Sequence, residues 1–219
     1  MKVAIAGAGN VGMYIADDLR RAGHDVLVIE QDPDLVALLR PLHEVGWFVG
    51  DACEVSMLHD AGIDDADVMV AATGDDEDNL VISLLAKQEF AVPRVVARVN
   101  HPKNKWLFNE TWGVDVSVST PHLLTALIEE AVSVGSLVRL FELERGEANL
   151  IEVTLAEDSP ARDRTIAELN VPRDATIVAI VRAGHVVVPR GDTVVQLNDE
   201  VLALVTPDSE DGVKRIFVA

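Results

Sequence analysis

Lys2-Val3-Ala4-Ile5-Ala6-Gly7-Ala8-Gly9-Asn10-Val11-Gly12, followed by Asp25-Val26-Leu27-Val28-Ile29-Glu30, decides the fold. A short apolar run stops at a glycine turn. Residues 11–22 then place Val11, Ile15, Ala16, Leu19 and Ala22 at helical spacing, and Gly23 closes the stretch. A second β-rich run ends in an acid. Strand, Gly-x-Gly-x-x-Gly, helix and strand in that order give the glycine pattern its meaning, because the same glycines without the flanking strand and helix are common in turns. Gly7 is expected to permit the tight turn and Gly9 to let the backbone approach a pyrophosphate. Gly12 is expected to let the helix pack close to the strand. The N–H groups of Asn10, Val11 and Gly12 and the helix dipole then favour phosphate. Glu30 follows Gly12 by 18 residues, near the roughly 20 expected for an acid that binds ribose hydroxyls. A carboxylate there repels a 2′-phosphate, so NAD is preferred to NADP.

The alternation continues outward. Asp32-Pro33 opens a helix with a capping side chain and proline in its first turn. Strands are predicted at 45–49, 67–72, 94–99 and 114–118, with helices at 54–61, 76–88 and 102–110 between them. This is an α/β, Rossmann-type, doubly wound parallel sheet covered on both faces. A longer amphipathic helix over 121–134 reads as a connector. Beyond Gly135 the pattern changes. Two strands flank Glu144-Arg145-Gly146-Glu147, a short helix lies near 165–169, further strands cover 176–182, 186–189 and 200–206, and a helix closes the chain over 208–216. The expected organisation is a nucleotide-binding domain at 1–118, a connector helix at 119–136 and a small α+β C-terminal domain at 137–219.

Other candidate positions follow strands at their carboxyl ends, where such sheets bind ligands. Asp51, with Ala52 and Cys53, is placed beside an adenine; Thr73 and Gly74 follow the fourth strand; Arg98, near the end of the fifth, is within reach of a phosphate. Each has a plain structural alternative: a turn aspartate, a helix-capping hydroxyl, a surface arginine. Asp75-Asp76-Glu77-Asp78 reads as a dipole-matched helix start, since its spacing fits no oxygen-ligand loop for a cation.

Of the 219 residues, 49% are hydrophobic and only 4% aromatic. Mean hydropathy is slightly positive. This suits buried parallel strands and excludes a disordered chain. The net charge of −19 weighs against nucleic acid and anionic lipid as partners. Met1-Lys2 runs directly into the first strand, so no signal peptide is expected, and no apolar run approaches the roughly 20 residues that span a bilayer. A single cysteine, Cys53, forms no internal disulfide and reads as a packing residue, so a soluble, cytoplasmic chain is expected. The histidines, His24, His43, His59, His101, His122 and His185, show no metal-binding spacing. No lysine lies between Lys105 and Lys214, and a hydride-transfer enzyme needs a proton donor and a substrate pocket. No catalytic residue is assigned.

The chain resembles the regulatory subunits of Trk/Ktr-type potassium-uptake systems, proteins with RCK (KTN) domains. The residues that carry the likeness are 1–12, Val28-Ile-Glu-Gln-Asp-Pro33, Gly50-Asp-Ala52, Ala72-Thr73 with Asp76, Asn79 and Leu80, Ala97-Arg-Val-Asn-His-Pro102 and Gly113-Val-Asp115 with Thr120-Pro121. In the smaller unit they are Ser159-Pro160, Thr165–Leu169, Ile177–Arg182, Pro189–Asp192 and Asn198–Glu200. The resemblance implies a non-enzymatic role. It implies a homo-oligomeric ring, tetramer or octamer, at the inner face of the membrane, gating a potassium-translocating membrane subunit in response to nucleotide. It places Gly7, Gly9, Asn10, Val11 and Gly12 on phosphates, Glu30 on ribose, Asp51 and Ala52 at the adenine end, and Thr73 and Arg98 on the remaining phosphate or nicotinamide side. ATP-responsive members often carry arginine where Asn10 stands, so NAD or NADH is favoured, with ATP or ADP as the alternative. An NAD-dependent oxidoreductase, or a free-standing nucleotide or cyclic di-AMP sensor, is the competing reading.

Overall fold

The computed structural model describes residues 1–132, 134–143 and 147–218. It divides into two compact units, Met1–Pro121 and His122–Ala219, and the division falls inside a helix. Of the expected turn at 144–147, residues 144–146 lie outside the described residues, as does residue 133 of the expected connector.

The first unit holds strands β1 (Lys2–Ala6), β2 (Asp25–Glu30), β3 (Gly46–Val49), β4 (Val68–Ala71), β5 (Arg94–Val99) and β6 (Val116–Ser119). They form one parallel sheet in the order β3-β2-β1-β4-β5-β6. From β1 the strand order proceeds to one side through β2 and β3 and to the other through β4, β5 and β6, so a crevice opens at the carboxyl ends of β1 and β4. Helices α1 (Asn10–Arg21) and α2 (Pro33–Leu39) cover one face, where Val3, Ile5, Val26, Val28, Val70 and Met13 are buried. The other face packs beneath α3 (Val55–Asp60) and α4 (Asp76–Gln88), with Ile29, Leu58, Ile63, Met69, Leu80 and Ile82 buried. Strand residues alternate between the two clusters, as a sheet buried on both faces requires.

The expected helix at 102–110 is instead two 3-10 segments, Pro102–Leu107 and Glu110–Trp112. Asp76 accepts hydrogen bonds from His101 N–H and the Asn104 side chain, both at 2.9 Å, and this pins the segment to α4 over its first turn.

Helix α5 (Thr120–Val132) leads into the second unit. There β7 (Leu137–Leu143), β8 (Ala148–Thr154), β9 (Ala175–Arg182), β10 (His185–Val187) and β11 (Glu200–Val205) form an antiparallel sheet in the order β10-β9-β11-β8-β7. Helix α6 (Pro207–Phe217) closes over a core of Ile151, Val153, Ile180, Val201, Val205, Val213 and Phe217. Asp199, fully buried, takes two 2.7 Å hydrogen bonds from Arg182 and one of 2.8 Å from Gln196 N–H. The bonds to Asp199 raise the Arg182 pKa above its ordinary value. A buried carboxylate of this kind is tolerated because its oxygens are satisfied. Among the described residues no helix is long and apolar enough to cross a membrane.

Candidate functional site

Beyond β1 the chain turns at Gly7, whose φ is +102°, a conformation glycine adopts without steric cost. Gly7 N–H donates to Ile29 O at 2.9 Å. A Cβ on Gly7 would lie 3.0 Å from the Cα and N of Thr73, so the turn presses on the chain leaving β4. At Gly12 the requirement differs from the expected helix–strand contact. A Cβ there would stand 2.0 Å from Gly7 O and 3.8 Å from the Ile5 side chain. The bare position is needed by the turn itself, which lies under the first turn of α1.

Gly9 has the opposite surroundings. A Cβ at this position meets nothing within 4 Å. Gly9 is the N-cap of α1, no side chain caps the helix, and its first turn carries no acid. The N-terminus of α2 is instead capped by Asp32, and that of α4 by Asp75. The start of α1 therefore offers N–H groups and a positive dipole end without a capping carboxylate. Open space, amide donors and a dipole together suit the oxygens of a pyrophosphate.

Glu30 sits on this turn. Its Oε2 accepts from Ala8 N–H at 2.8 Å and its Oε1 from Asp32 N–H at 3.1 Å. Each oxygen retains acceptor capacity for a hydroxyl. Gly50 N–H donates to Glu30 O at 3.0 Å, bringing the end of β3 alongside. Asp51 Oδ1 accepts from Cys53 N–H at 2.8 Å, so Asp51 closes a local turn beside Glu30. Ala52 is buried among core residues. The Cys53 thiol is pushed up to about 12 by burial first and by the nearby Asp78 and Asp51 carboxylates second. It stays protonated at neutral pH.

The β4 and β5 ends are joined by polar side chains. Asn79 Oδ1 accepts from Thr73 N–H at 2.9 Å and Thr73 Oγ1 at 2.8 Å. Its Nδ2 donates to Arg98 O at 3.0 Å and Thr73 O at 3.3 Å. Asn100 Nδ2 also donates to Thr73 O, at 3.1 Å. Arg98 Nε is buried and has no hydrogen-bond partner among the described residues, an arrangement that a ligand oxygen would complete. Asp76 accepts from Asn100 N–H at 2.6 Å as well as from His101 and Asn104. Burial opposes its ionisation, but these hydrogen bonds outweigh burial and hold the carboxyl below its ordinary pKa.

Contacts thus link the glycine turn directly to Glu30 and Thr73, Asp51 through Gly50, and Arg98 through Asn79. Asp76 and Asn79 are the residues that reasoning from the sequence passed over as binding-site structure. Their signal was periodic: Asp76, Asn79 and Ser83 fall three and four residues apart on the buried stripe of α4, where apolar residues are the rule. Among the described residues, no cluster of three or more His, Cys, Asp or Glu is placed to hold a metal ion.

A parallel sheet in this order, with an uncapped glycine turn and an acid at the end of β2 beside the switch point, defines a Rossmann-type nucleotide-binding module, here joined to a small antiparallel domain. Residues 3–120 match the TrkA-N domain family and residues 150–218 the TrkA-C domain family. The chain is 51% identical over 219 residues to the Trk system potassium uptake protein TrkA of Mycobacterium tuberculosis, covering 100% of this chain and 99% of that one. A TrkA homolog of Methanothermobacter thermautotrophicus is 30% identical over 217 residues, with 99% of both covered. That of Archaeoglobus fulgidus is 33% identical, and the chain spans 50% of its length. The chain belongs to the TrkA family of Trk system potassium uptake proteins. Among solved structures it superposes on the GsuK channel with a TM-score of 0.68 at 17% identity, covering 100% of this chain and 39% of that one. The GsuK channel bound to NAD gives 0.67 at 16%, covering 100% and 39%. The Shewanella denitrificans Kef C-terminal domain in AMP-bound form gives 0.52 at 24%, covering 60% and 80%. These likenesses are of fold.

Proposed function

We propose that this chain is the nucleotide-sensing regulatory subunit of a Trk-type potassium-uptake system. It binds NAD or NADH over the glycine turn, with ATP or ADP as the alternative ligand. Binding changes the shape of a homo-oligomeric ring, a tetramer or octamer, at the cytoplasmic face of a potassium-translocating membrane subunit. It performs no catalysis. The domain plan is a nucleotide-binding unit at 1–118, a connector to 136 and a C-terminal unit from 137.

The observation that carries the ligand is the uncapped start of α1 with open space over Gly9 and Glu30 bonded to the same turn. In this reading Gly7, Gly9, Asn10, Val11 and Gly12 surround the phosphates. Glu30 takes a ribose, Asp51 and Ala52 lie at the adenine end, and Thr73 and Arg98 meet the second phosphate. The regulatory role rests on the full-length likeness to TrkA of Mycobacterium tuberculosis. Self-association is supported by α5, where Leu124, Leu127, Ile128 and Val132 are 55, 57, 62 and 75% exposed, an apolar stripe of the kind that marks protein interfaces. Nucleotide can shift a ring only by binding one ring conformation more tightly than another.

Calorimetry of the full chain against NAD, NADH, ATP and ADP, with mass measured in solution, tests this reading. Binding of NADH with Glu30→Gln weaker by about 1–3 kcal/mol, the range for a lost charge-assisted hydrogen bond, is the expected outcome. Undiminished affinity in Glu30→Gln removes Glu30 from the site.

A further inference from the structure

Helix α4 places three polar side chains, Asp76, Asn79 and Ser83, on its buried stripe. Asn79 is 0% exposed and uses the whole of its amide. Two bonds arrive at Oδ1 from Thr73 and two leave Nδ2 for the carbonyls of Thr73 and Arg98. One side chain thereby ties three segments together: α4, the chain leaving β4 and the end of β5. Thr73 also borders the glycine turn: its Cα and N lie 3.0 Å from where a Cβ on Gly7 would stand. Where Thr73 sits therefore fixes the wall facing the glycine turn.

We propose that Asn79 is a positioning residue for one half of the nucleotide site. It holds Thr73 and the Arg98 peptide in place before ligand arrives, so that the second phosphate of a dinucleotide meets a preformed surface. The adenosine half depends on Glu30 and Asp51, whose side chains accept hydrogen bonds from Ala8, Asp32 and Cys53 N–H groups instead. The inference rests on the reading above, in which Thr73 and Arg98 face that second phosphate.

The chemistry selects asparagine. An aspartate of the same shape keeps both acceptors but has no donor, and it turns a negative oxygen toward two carbonyls. A serine reaches fewer of the four partners. A hydrophobic residue leaves Thr73 N–H and the carbonyls unpaired. Preorganisation acts on affinity by removing the cost of ordering the site at the moment of binding. A residue that only stabilised the fold would weaken every ligand alike. A residue that positions one half must weaken the dinucleotide and spare the mononucleotide.

The test is calorimetry of the full chain with NADH and with AMP, on wild type, Asn79→Asp, Asn79→Ser and Ser83→Ala. Ser83 is the control: its buried hydroxyl donates to the backbone Asn79 O at 2.6 Å and takes no part in the side-chain bonds that hold Thr73 and the Arg98 carbonyl. Asn79→Asp is expected to weaken NADH by about tenfold, the lower end of what losing an orienting outer partner costs at metal sites. AMP affinity is expected to stay the same, so the preference for NADH over AMP collapses. Ser83→Ala is expected to lower the thermal midpoint and keep that preference. If both Asn79 variants fail to fold, Asn100→Ala removes the other side-chain hold on Thr73 O and is expected to shift the preference in the same direction. Equal weakening of NADH and AMP, an unaltered preference in the Asn79 variants, or in Asn100→Ala where it replaces them, or an equal shift in Ser83→Ala overturns the proposal and leaves the nucleotide reading standing. A wild type without any preference for NADH over AMP overturns the placement of Thr73 and Arg98, and this inference with it.

Discussion

In the proposed site, Glu30 serves fold and ligand together. It closes the glycine turn through Ala8 N–H and orders the start of α2 through Asp32 N–H, and it still has lone pairs for a ribose. Its place was legible from the 18-residue spacing alone, because strand length and helix length fix where the second strand ends. Asn79 and Asp76 were not legible as part of the site, since their partners lie on other segments, at Thr73, Arg98, Asn100 and Asn104. Asp76 yields a pH prediction. Its folded pKa is lowered, so its contribution to stability is present above the ordinary carboxylate pKa and is lost as pH falls through the depressed value. Asp76→Asn should melt below wild type at neutral pH, with the difference narrowing in acid below about pH 4; a pH-independent difference would refute this. Cys53, with its thiol pushed up to about 12, should alkylate far more slowly at neutral pH than a free cysteine. Labelling at the free-thiol rate would contradict that assignment.

At the scale of elements, the parallel sheet was readable because each strand is a short apolar run ended by a turn signal, and α2 because Asp32 caps it ahead of Pro33. The segment 102–107 was not, since the clamp on Asp76 that holds it as 3-10 helix comes from α4. The glycine turn, as an element, separates folding from binding. A Cβ at Gly12 collides with Gly7 O at 2.0 Å, whereas one at Gly9 meets nothing, and φ at Gly9 is −69°, accessible to any residue. Gly12→Ala is therefore expected to destabilise the first unit by about 1–3 kcal/mol or more through overpacking. Gly9→Val is expected to fold with a near-normal thermal midpoint and to lose nucleotide binding. The pair is checked by thermal melting and calorimetry on the same samples. A Gly9→Val variant that folds and still binds means the phosphate lies elsewhere.

At the scale of the molecule, the change of pattern after Gly135 announced a second, small α+β unit, and the separate five-stranded sheet closed by α6 has that class; its antiparallel order is added by the structure. The strands expected at 176–182 and 200–206 appear as Ala175–Arg182 and Glu200–Val205, and the one expected at 186–189 is shorter, at His185–Val187. The division of the chain at Pro121, inside α5, falls within the connector segment expected at 119–136. In the proposed ring, the exposed apolar stripe of α5 and the uncapped start of α1 would serve one purpose, with ligand at the glycine turn altering how copies of the chain meet. The most direct measurement is potassium flux into vesicles holding the cognate membrane subunit with this chain added, with and without NADH. The account predicts that NADH changes the flux with wild type and leaves it unchanged with folded Gly9→Val. Flux indifferent to nucleotide in the wild type, or an equal response in Gly9→Val, would contradict it.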